Sequence, residues 1–274
     1  MLKLAIAQMT SGNNLDDNLA HMRELLERAV AQGAEMAVFP EMAYLMAKPE
    51  KWGPTLARYE ACLATFASWA KELSIYLLPG SIRKPVDGST QRCFNQLAVI
   101  DPQGKIQATY EKLFLFRATL PTRRYDEGQF CDPGNKIVVT QIKGVRVGLA
   151  ICFDLRFPEL FHALKRRGAQ LVVLPSAFTA TTGLAHWDTL TRARAIENAL
   201  FLAAPGQVGV TGEGGETYGH SRVVAPWGEV LADRGLEPGV TVVEIDPGRI
   251  AEAEAKVDAW GCRRDDWFPG DRIG

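Results

Sequence analysis

Two stretches of the chain repeat one pattern, and this internal repeat limits the possible folds more than any other feature. The apolar run at residues 2–7 matches the run at 145–150, and residues 33–40 match residues 168–175. Connections between parallel strands are almost always right-handed, so the repeat predicts two parallel βαβ halves. No linker rich in Gly, Ser or Pro separates the halves. We therefore expect two sheets packed face to face with helices outside, in one four-layer α/β domain over residues 1–274.

Local patterns agree with this architecture. Apolar side chains recur at helical spacing over residues 15–30 and 56–73, and short apolar strands follow these runs at 36–39 and 75–78. Two hairpin patterns come later, at 93–110 and 220–232, before a last strand at 240–245. The order strand, helix, strand, helix, strand is that of an α/β chain.

Composition excludes several classes of partner. The chain has 31 basic and 32 acidic residues, so we expect no nucleic acid or anionic membrane bound through bulk charge. No apolar run reaches the roughly 20 residues that span a bilayer, and the amino terminus has the pattern of a strand rather than a signal peptide. The 5 cysteines include no Cys-x-x-Cys pair. We therefore expect a cytoplasmic protein with neither a disulfide framework nor a metal site.

Cys152 lies at a strand-to-helix corner. It follows the apolar run 145–151 and precedes a helix-like pattern at 153–160. A thiol at the carboxyl end of a strand and near a helix N-terminus has a stabilised thiolate and is open to substrate. Free cysteine is also among the most buried residue types. The position by itself leaves two interpretations open, a nucleophile or a small core residue.

Two further residues suit the same chemistry. Glu41 directly follows Pro40 at the end of an apolar strand, where proline restricts the backbone. Lys112 lies among apolar and aromatic neighbours after the first hairpin. Each residue alone is more often a solvated surface charge. Together with a thiol they supply a nucleophile, a base and a cation for the oxyanion, which are the requirements of acyl transfer.

Three sequence blocks carry a family resemblance. Phe39-Pro40-Glu41, Tyr110-Glu111-Lys112 and the block from Ile151 to Glu159 resemble the Glu, Lys and Cys blocks of the nitrilase superfamily of carbon-nitrogen hydrolases. Their order and strand context match, and the similarity runs from about residue 2 to about residue 270. The resemblance implies an αββα sandwich of two packed mixed β-sheets, which agrees with the expectation from the repeat.

The resemblance also implies further site residues. It maps Glu127 onto a second glutamate that hydrogen-bonds the lysine, and it gives the backbone N–H of Phe153 a share of the oxyanion site with Lys112. The implied mechanism uses Glu41 as the base and a thioester on Cys152, and it needs no metal or organic cofactor. We further expect the clustered carboxylates to raise the pKa of at least one of them.

The substrate is less constrained than the chemistry. Blocks at 175–178, 183–187, 192–198 and 218–221 look like the branch of ω-amidases and deaminated-glutathione amidases. That branch implies hydrolysis of the terminal amide of a small carboxylate-bearing compound, a 2-oxo acid ω-amide or deaminated glutathione, to acid and ammonia. The segment 113–124 departs from the branch pattern, which leaves the substrate open. Candidates for substrate binding are Arg117, Arg123, Arg124, Arg156, Ser176, His186 and Trp187.

Several alternatives stay open. An N-carbamoyl amino acid amidohydrolase or a nitrilase would use the same residues, and an inactive binding member would share the fold. The arginines of segment 113–124 also suit a solvated basic loop, and Arg156 also suits an ion pair with Glu159. The resemblance implies a homodimer or a larger assembly. The tail at about 258–274, with Trp260, Trp267 and Phe268, is expected to contact either a partner or its own subunit.

Overall fold

The computed structural model describes residues 1–87, 89, 92–120 and 123–264. The helices are α1 (Leu15–Ala31), α2 (Gly53–Leu56), α3 (Tyr59–Glu72), α4 (Pro158–Arg166), α5 (Ala180–Asn198) and α6 (Gly248–Lys256). The strands are β1 (Leu2–Gln8), β2 (Met36–Val38), β3 (Tyr76–Leu78), β4 (Ser81–Pro85), β5 (Cys93–Ile100), β6 (Ile106–Glu111), β7 (Arg117–Thr119), β8 (Arg124–Asp126), β9 (Val139–Ile142), β10 (Val145–Leu149), β11 (Leu171–Val173), β12 (Phe201–Ala204), β13 (Val208–Val210), β14 (Glu216–Tyr218), β15 (Arg222–Val224), β16 (Val230–Asp233) and β17 (Gly239–Ile245).

The strands form two main sheets. The first has the order β17-β1-β2-β3-β5-β4, with β6 paired to β5, and the second has the order β16-β15-β12-β11-β10-β9. The central strands β1, β2 and β3 are parallel in the first sheet, and β10, β11 and β12 are parallel in the second. The two parallel halves predicted from the repeat are therefore confirmed, and each sheet becomes mixed through antiparallel strands at its edges.

Side-chain alternation along the strands creates the layers. Leu2, Leu4 and Ile6 of β1 share a core with Val147 and Leu149 of β10, so the two sheets pack face to face. The intervening alanines of β1 face a second core that includes apolar residues of α1 and α3. On the other sheet, Leu164 of α4 packs directly over the Cα of Gly148. The αββα sandwich is confirmed, and each buried Leu or Ile contributes about 1.5–3 kcal/mol to it.

Helix α1 shows how local sequence sets an element's limits. The side chain of Asn14 caps the helix by accepting hydrogen bonds from the N–H groups of Asp16 and Asp17. These two carboxylates lie in the first turn, where the helix dipole favours negative charge. The helix ends at Ala31, and Gly33 then takes a φ of +81°, a value that glycine adopts without strain.

The carboxyl ends of the parallel strands meet at one rim of the sandwich. Short bridges join Met9 to Gln207 and Ser176 to Gly206 at this rim. Glu41 follows β2 there, and Cys152 follows β10. This rim is where α/β folds bind ligands.

Two sequence-derived expectations concern other parts of the chain. Trp260 lies against α4 of its own chain, with its ring 6.2 Å from that of His162 and beneath the ammonium of Lys165 at 5.9 Å. Trp267 and Phe268 lie outside the described residues. Within the described residues, no helix combines the length and apolar character needed to cross a membrane.

Candidate active site

Cys152 opens a tight 3-10 turn, Cys152–Arg156, at the end of β10. Its N–H donates to the carbonyl of Pro175 at 2.9 Å, and its φ of +47° lies in the left-handed region. Such strain at a non-glycine residue persists only where surrounding structure enforces it. Asp154 does so by accepting a hydrogen bond from the N–H of Ile151 at 2.8 Å. The N–H of Phe153, the second residue of the turn, has no carbonyl partner within the turn and is available for an oxyanion.

Neighbouring segments fix the backbone on both sides of Glu41. The turn after β3 passes so close that a Cβ on Gly80 would lie 1.9 Å from the carbonyl oxygen of Pro40. Gln207 donates from its amide to the carbonyl of Glu41 at 3.0 Å. Met42, the next residue, has a φ of +54° and donates from its N–H to the hydroxyl of Ser81. Glu41 is thus fixed at the rim, as expected from the restricted backbone of the preceding Pro40.

Lys112 joins the two predicted glutamates. Its Nζ donates to Glu41 Oε1 at 3.0 Å and to Glu127 Oε2 at 2.9 Å. The lysine side chain is only 2% exposed, so the ammonium is a fixed cation inside the site and not a surface charge. Phe116 donates its N–H to Glu127 Oε2 at 2.7 Å and anchors that carboxylate. The structure therefore brings Glu41, Lys112, Glu127 and Cys152 into one cavity.

Asn95 is a member of this cluster that the sequence reasoning missed. Its Nδ2 donates to Glu41 Oε1 at 2.9 Å and to Glu127 Oε1 at 3.0 Å, so one amide bridges the two carboxylates. Its backbone carbonyl accepts from the N–H of Lys112 at 2.9 Å. The available signal was a buried amide inside the apolar strand β5, because a buried polar group needs a partner.

Electrostatics in the cluster sets the resting protonation states. Burial raises the pKa of the Cys152 thiol well above its usual value, and the neighbouring Glu41 carboxylate raises it further. The thiol is therefore protonated at rest and donates to Glu41. Burial alone would lower the pKa of Lys112, but Glu127 and Glu41 hold it well above its usual value.

We expected a raised pKa for at least one of the clustered carboxylates, and Glu127 is not that carboxylate. Burial raises the pKa of this carboxyl, but the Lys112 ammonium, the Phe116 N–H and the Asn95 amide outweigh burial and hold the pKa below its usual value. The donors that the sequence did not reveal are the Phe116 N–H and the Asn95 amide, which both favour the charged form of Glu127. Glu127 is accordingly an ionised partner of Lys112.

A second buried network ties the lysine segment to the nucleophile turn. Tyr110 donates its hydroxyl to Asp154 Oδ2 at 2.6 Å, and Phe114 donates its N–H to Asp154 Oδ1 at 3.0 Å. Burial raises the pKa of Asp154 to about 6, although these donors oppose that shift. Arg194 supports the same turn from α5 by donating to the carbonyl of Leu155 at 2.9 Å. This network couples the positions of the cation and the sulfur.

The cavity has a volume of about 420 Å³. Catalytic candidates Glu41, Lys112, Glu127 and Cys152 line it, together with aromatic walls from Trp52, Phe116, Tyr125, Phe130, Phe153 and Phe178. Among the predicted substrate-binding residues, Arg123, Arg124 and Arg156 line the cavity. Arg117, Ser176, His186 and Trp187 do not.

Burial, hydrogen bonds and exposure explain why these four residues do not line the cavity. Ser176 is fully buried, and its hydroxyl donates to the carbonyl of Leu174. Trp187 is a core side chain whose Nε1 donates to the carbonyl of His220 at 2.9 Å. His186 is exposed on α5, and Arg117 is 72% exposed beside Asp126. These residues were predicted to bind substrate because they lie in or near the site blocks of the sequence. Successive residues of a helix or strand face different directions, so closeness in sequence does not place a side chain in the cavity.

Arg156 has the surroundings of a ligand-binding cation. Its guanidinium lies over the rings of Phe153 and Phe178, at 5.7 and 5.2 Å, and contacts the Nδ1 of His186 at 3.3 Å. Within the described residues Arg156 has no ion pair with a carboxylate, and only burial and Cys152 shift its pKa, so the alternative of a pair with Glu159 is wrong. The charge faces the cavity with no acidic partner from the described chain.

Comparison with known proteins gives a consistent picture. A family profile described as Carbon-nitrogen hydrolase matches residues 3–255. The chain is 38% identical over 257 residues to Deaminated glutathione amidase of Synechocystis sp. (strain PCC 6803 / GT-S), covering 92% of this chain and 94% of that protein. It is 34% identical over 269 residues to Omega-amidase NIT2 of Homo sapiens, covering 97% and 96% of the two chains.

Solved structures are similar over most of the chain. The C. elegans NitFhit protein superposes with a TM-score of 0.92 at 34% identity, covering 97% of this chain and 66% of that one. A mutant amidase from Nesterenkonia sp. AN1, which carries the product of Michael addition of acrylamide at its active-site cysteine, superposes with a TM-score of 0.80 at 27% identity. That match covers 94% of this chain and 98% of the amidase.

Proposed function

This chain belongs to the carbon-nitrogen hydrolase family, within the nitrilase superfamily, and from that premise we propose a substrate and residue roles for it. The chain is an amidase that hydrolyses amides to acid and ammonia. Its proposed substrate is the terminal amide of a small carboxylate-bearing compound, either a 2-oxo acid ω-amide or deaminated glutathione. The observation that carries the proposal is the convergence of thiol, carboxylate and buried ammonium in one cavity.

The first half of the reaction forms a thioester. Glu41 accepts the proton of the Cys152 thiol as the sulfur adds to the amide carbonyl carbon. Lys112 and the N–H of Phe153 bind the negative oxygen that develops. The C–N bond then breaks, and Glu41 returns its proton to the departing nitrogen. An ω-amide thus releases ammonia, deaminated glutathione releases the amine of its Cys-Gly part, and in both cases the acyl group remains on sulfur.

Hydrolysis of the thioester completes the cycle. Glu41 takes a proton from a water molecule that adds to the acyl carbon, and the C–S bond breaks as the thiol recovers a proton. Glu127 and Asn95 do not touch the reacting atoms in this scheme. They orient Glu41 and Lys112, because each forms a hydrogen bond to one or both of them.

Arg156 provides the anchor for the substrate carboxylate. An arginine offers a planar pair of donors that matches a carboxylate, and this arginine is the last residue of the nucleophile turn. The aromatic rings on either side leave its donors facing a partly apolar cavity, where a charged hydrogen bond is stronger than in water. Arg124 at the cavity edge is a second candidate for this role.

A substrate panel tests the proposal. Purified enzyme is incubated with 2-oxoglutaramate, 2-oxosuccinamate, deaminated glutathione, an N-carbamoyl amino acid and a nitrile, and formation of the acid product is measured. We expect turnover of the carboxylate-bearing amides, lost in Cys152→Ala. Carbon dioxide released together with ammonia from the carbamoyl compound alone would favour the N-carbamoyl alternative.

Assembly and location complete the proposal. We propose a homodimer or a larger homo-oligomer working in the cytoplasm, and a chain that binds neither nucleic acid nor membrane. The near balance of basic and acidic residues supports the last point. Light scattering of the purified protein measures the oligomeric state, and a monomer at micromolar concentration would contradict the first point.

A further inference from the structure

Two cysteines outside the catalytic group lie in contact beside the cavity. The Sγ atoms of Cys93 and Cys131 are 3.4 Å apart, and either thiol can donate to the other. Both are buried free cysteines, and Cys131 lines the cavity that also contains Cys152. The proposed mechanism gives neither of the two thiols a role.

Backbone pairing holds the two cysteines side by side. Cys93, the first residue of β5, forms a parallel bridge with Cys131. The N–H of Cys93 donates to the carbonyl of Phe130 at 3.1 Å, and the N–H of Asp132 donates to the carbonyl of Cys93 at 2.9 Å. Paired strands lie about 4.8 Å apart, which is within the Cα separations of roughly 4.4–6.8 Å that disulfides span. The two backbone segments therefore already have the spacing that a disulfide needs.

The surroundings of the pair favour a thiolate. The hydrogen bond with Cys131 lowers the pKa of the Cys93 thiol. The charges of Arg83 and Arg92 act in the same direction, whereas burial and the Glu127 carboxylate oppose it. The same hydrogen bond and burial raise the pKa of Cys131, so Cys131 keeps the remaining proton. Transfer of this proton to Cys93 puts the thiolate on Cys131, which faces the cavity and is the nucleophile that oxidation requires.

The pair joins the two segments that hold the catalytic carboxylates together. Asn95, two residues after Cys93 in β5, donates to Glu127 Oε1 at 3.0 Å. The N–H of Cys131 donates to the backbone carbonyl of Glu127 at 2.9 Å. A disulfide bond is about 2.05 Å long, so its formation brings the sulfurs closer by more than about 1 Å and pulls on both segments. A misplacement of about 1 Å near a reacting centre can cost roughly 100-fold in rate.

We propose that Cys93 and Cys131 form an oxidation site, at which a hydroperoxide that enters the cavity converts the two thiols to a disulfide, and that this crosslink lowers amide turnover. The loss of turnover rests on the proposed function and on the roles of Asn95 and Glu127 in it. Formation of the disulfide depends on no substrate. Exchange with an external thiol breaks the disulfide and restores turnover.

Hydrogen peroxide is the oxidant in both chemical steps. The Cys131 thiolate attacks one oxygen of the peroxide, the O–O bond breaks, and a sulfenic acid forms as hydroxide leaves. The Cys93 sulfur then attacks the Cys131 sulfur, so that the S–S bond forms and the S–O bond breaks. The two thiol protons go to the two hydroxide ions and give two molecules of water. The two sulfurs lose two electrons in total, and the peroxide gains them.

Peptide mapping tests the crosslink. The Cys152→Ala variant, which lacks the catalytic thiol, is treated with hydrogen peroxide, alkylated under denaturing conditions and digested without reductant. We expect two peptides joined through Cys93 and Cys131, which dithiothreitol separates. The exposed Cys262 in the same sample shows whether enough peroxide was present. Oxidation of Cys262 without any link between Cys93 and Cys131 would overturn the proposal.

Activity measurements connect the crosslink to turnover. Wild type, Cys93→Ala and Cys62→Ala receive the same peroxide treatment, and kcat/KM for an amide is measured before and after dithiothreitol is added. Direct oxidation of Cys152 lowers turnover in all three proteins. We expect an additional reversible loss in wild type and Cys62→Ala that follows the crosslinked fraction and reaches roughly 10- to 100-fold, and no such loss in Cys93→Ala. Cys62→Ala is the matched control, since it also removes a buried thiol.

The outcomes separate this inference from the proposed function. Equal losses in wild type and Cys93→Ala, or full turnover by the crosslinked protein, would overturn the inference and leave the amidase function standing. Failure of every amide in the substrate panel would contradict the proposed function and not the oxidation site, which the mapping decides by itself. If Cys93→Ala does not fold, Cys131→Ala provides the same comparison, because it too removes one of the two sulfurs.

Discussion

Asn95 offers the sharpest test of how the site is held together. Replacing it with Leu keeps a side chain of similar size in β5 and removes both donors that bridge Glu41 and Glu127. Each hydrogen bond to an ionised carboxylate contributes about 1.5–3 kcal/mol. Asn95 Oδ1 has no partner among the described residues, and relief of that buried oxygen offsets about 1–3 kcal/mol.

The expected net loss from Asn95→Leu is about 2–3 kcal/mol. Because the bridged carboxylates position the base and the cation, this loss should appear mainly in the transition state. We expect kcat/KM for an amide to fall roughly 30- to 150-fold, measured by steady-state ammonia release. Asn95 also helps to hold the pKa of Glu127 low, so the loss of activity on acidification should begin at a higher pH than in the wild type.

Gln96→Leu is the control for this prediction. Gln96 is the next residue of β5, is equally buried, and accepts from the Tyr59 hydroxyl at 2.7 Å on the opposite face. Its replacement also removes a buried amide, but it leaves Glu41 and Glu127 untouched. If Asn95→Leu lowers kcat/KM no more than Gln96→Leu does, the bridging role assigned to Asn95 is refuted.

Three further predictions follow from the electrostatics of the site. Cys152→Ala should abolish turnover and change the free energy of unfolding by less than about 1 kcal/mol in chemical denaturation, and remaining turnover would contradict a thioester route. Glu41→Gln should lower the pKa of the Cys152 thiol, seen as thiolate absorbance at lower pH, while amide turnover falls at least about 100-fold; an unchanged thiol pKa would contradict the contact between the two groups. The pKa of Asp154 is raised from its ordinary 3.8 to about 6, so its protonated form contributes stability that is fully present below pH 3.8 and is lost as the pH rises through 6. Asp154→Asn should therefore remove about 3 kcal/mol of pH dependence from the free energy of unfolding in this range, and parallel curves for the two proteins would disprove it.

The sequence predicted the features that depend on residues close together in the chain. Apolar spacing located the helices and the parallel strands, because burial of one face imposes a period on the chain. Pro40 and the change from a strand pattern to a helix pattern at Cys152 marked the carboxyl ends of two strands. Ligands bind at this rim of a parallel sheet. Together with the resemblance, these features indicated Glu41, Lys112, Glu127 and Cys152 as the catalytic residues.

Proximity in sequence was a poor guide to the rest of the cavity. Ser176 and Trp187 belong to blocks that resemble the family, yet both side chains lie in the core. Arg83 and Asn95 lie on the neighbouring strands β4 and β5, outside every predicted site block, and both line the cavity. A residue's face on a strand depends on register, which local composition does not reveal.

The chain alone therefore determined which chemical groups are present and which strand ends carry the main ones. Only the tertiary structure decided that one amide bridges two carboxylates, that the Lys112 ammonium is removed from water, and that Arg83 reaches the same cavity. The physical reason is that hydrogen bonding, burial and pKa depend on distances between groups that are remote in sequence. Those distances exist only once the strands have taken their register and the two halves have closed on each other.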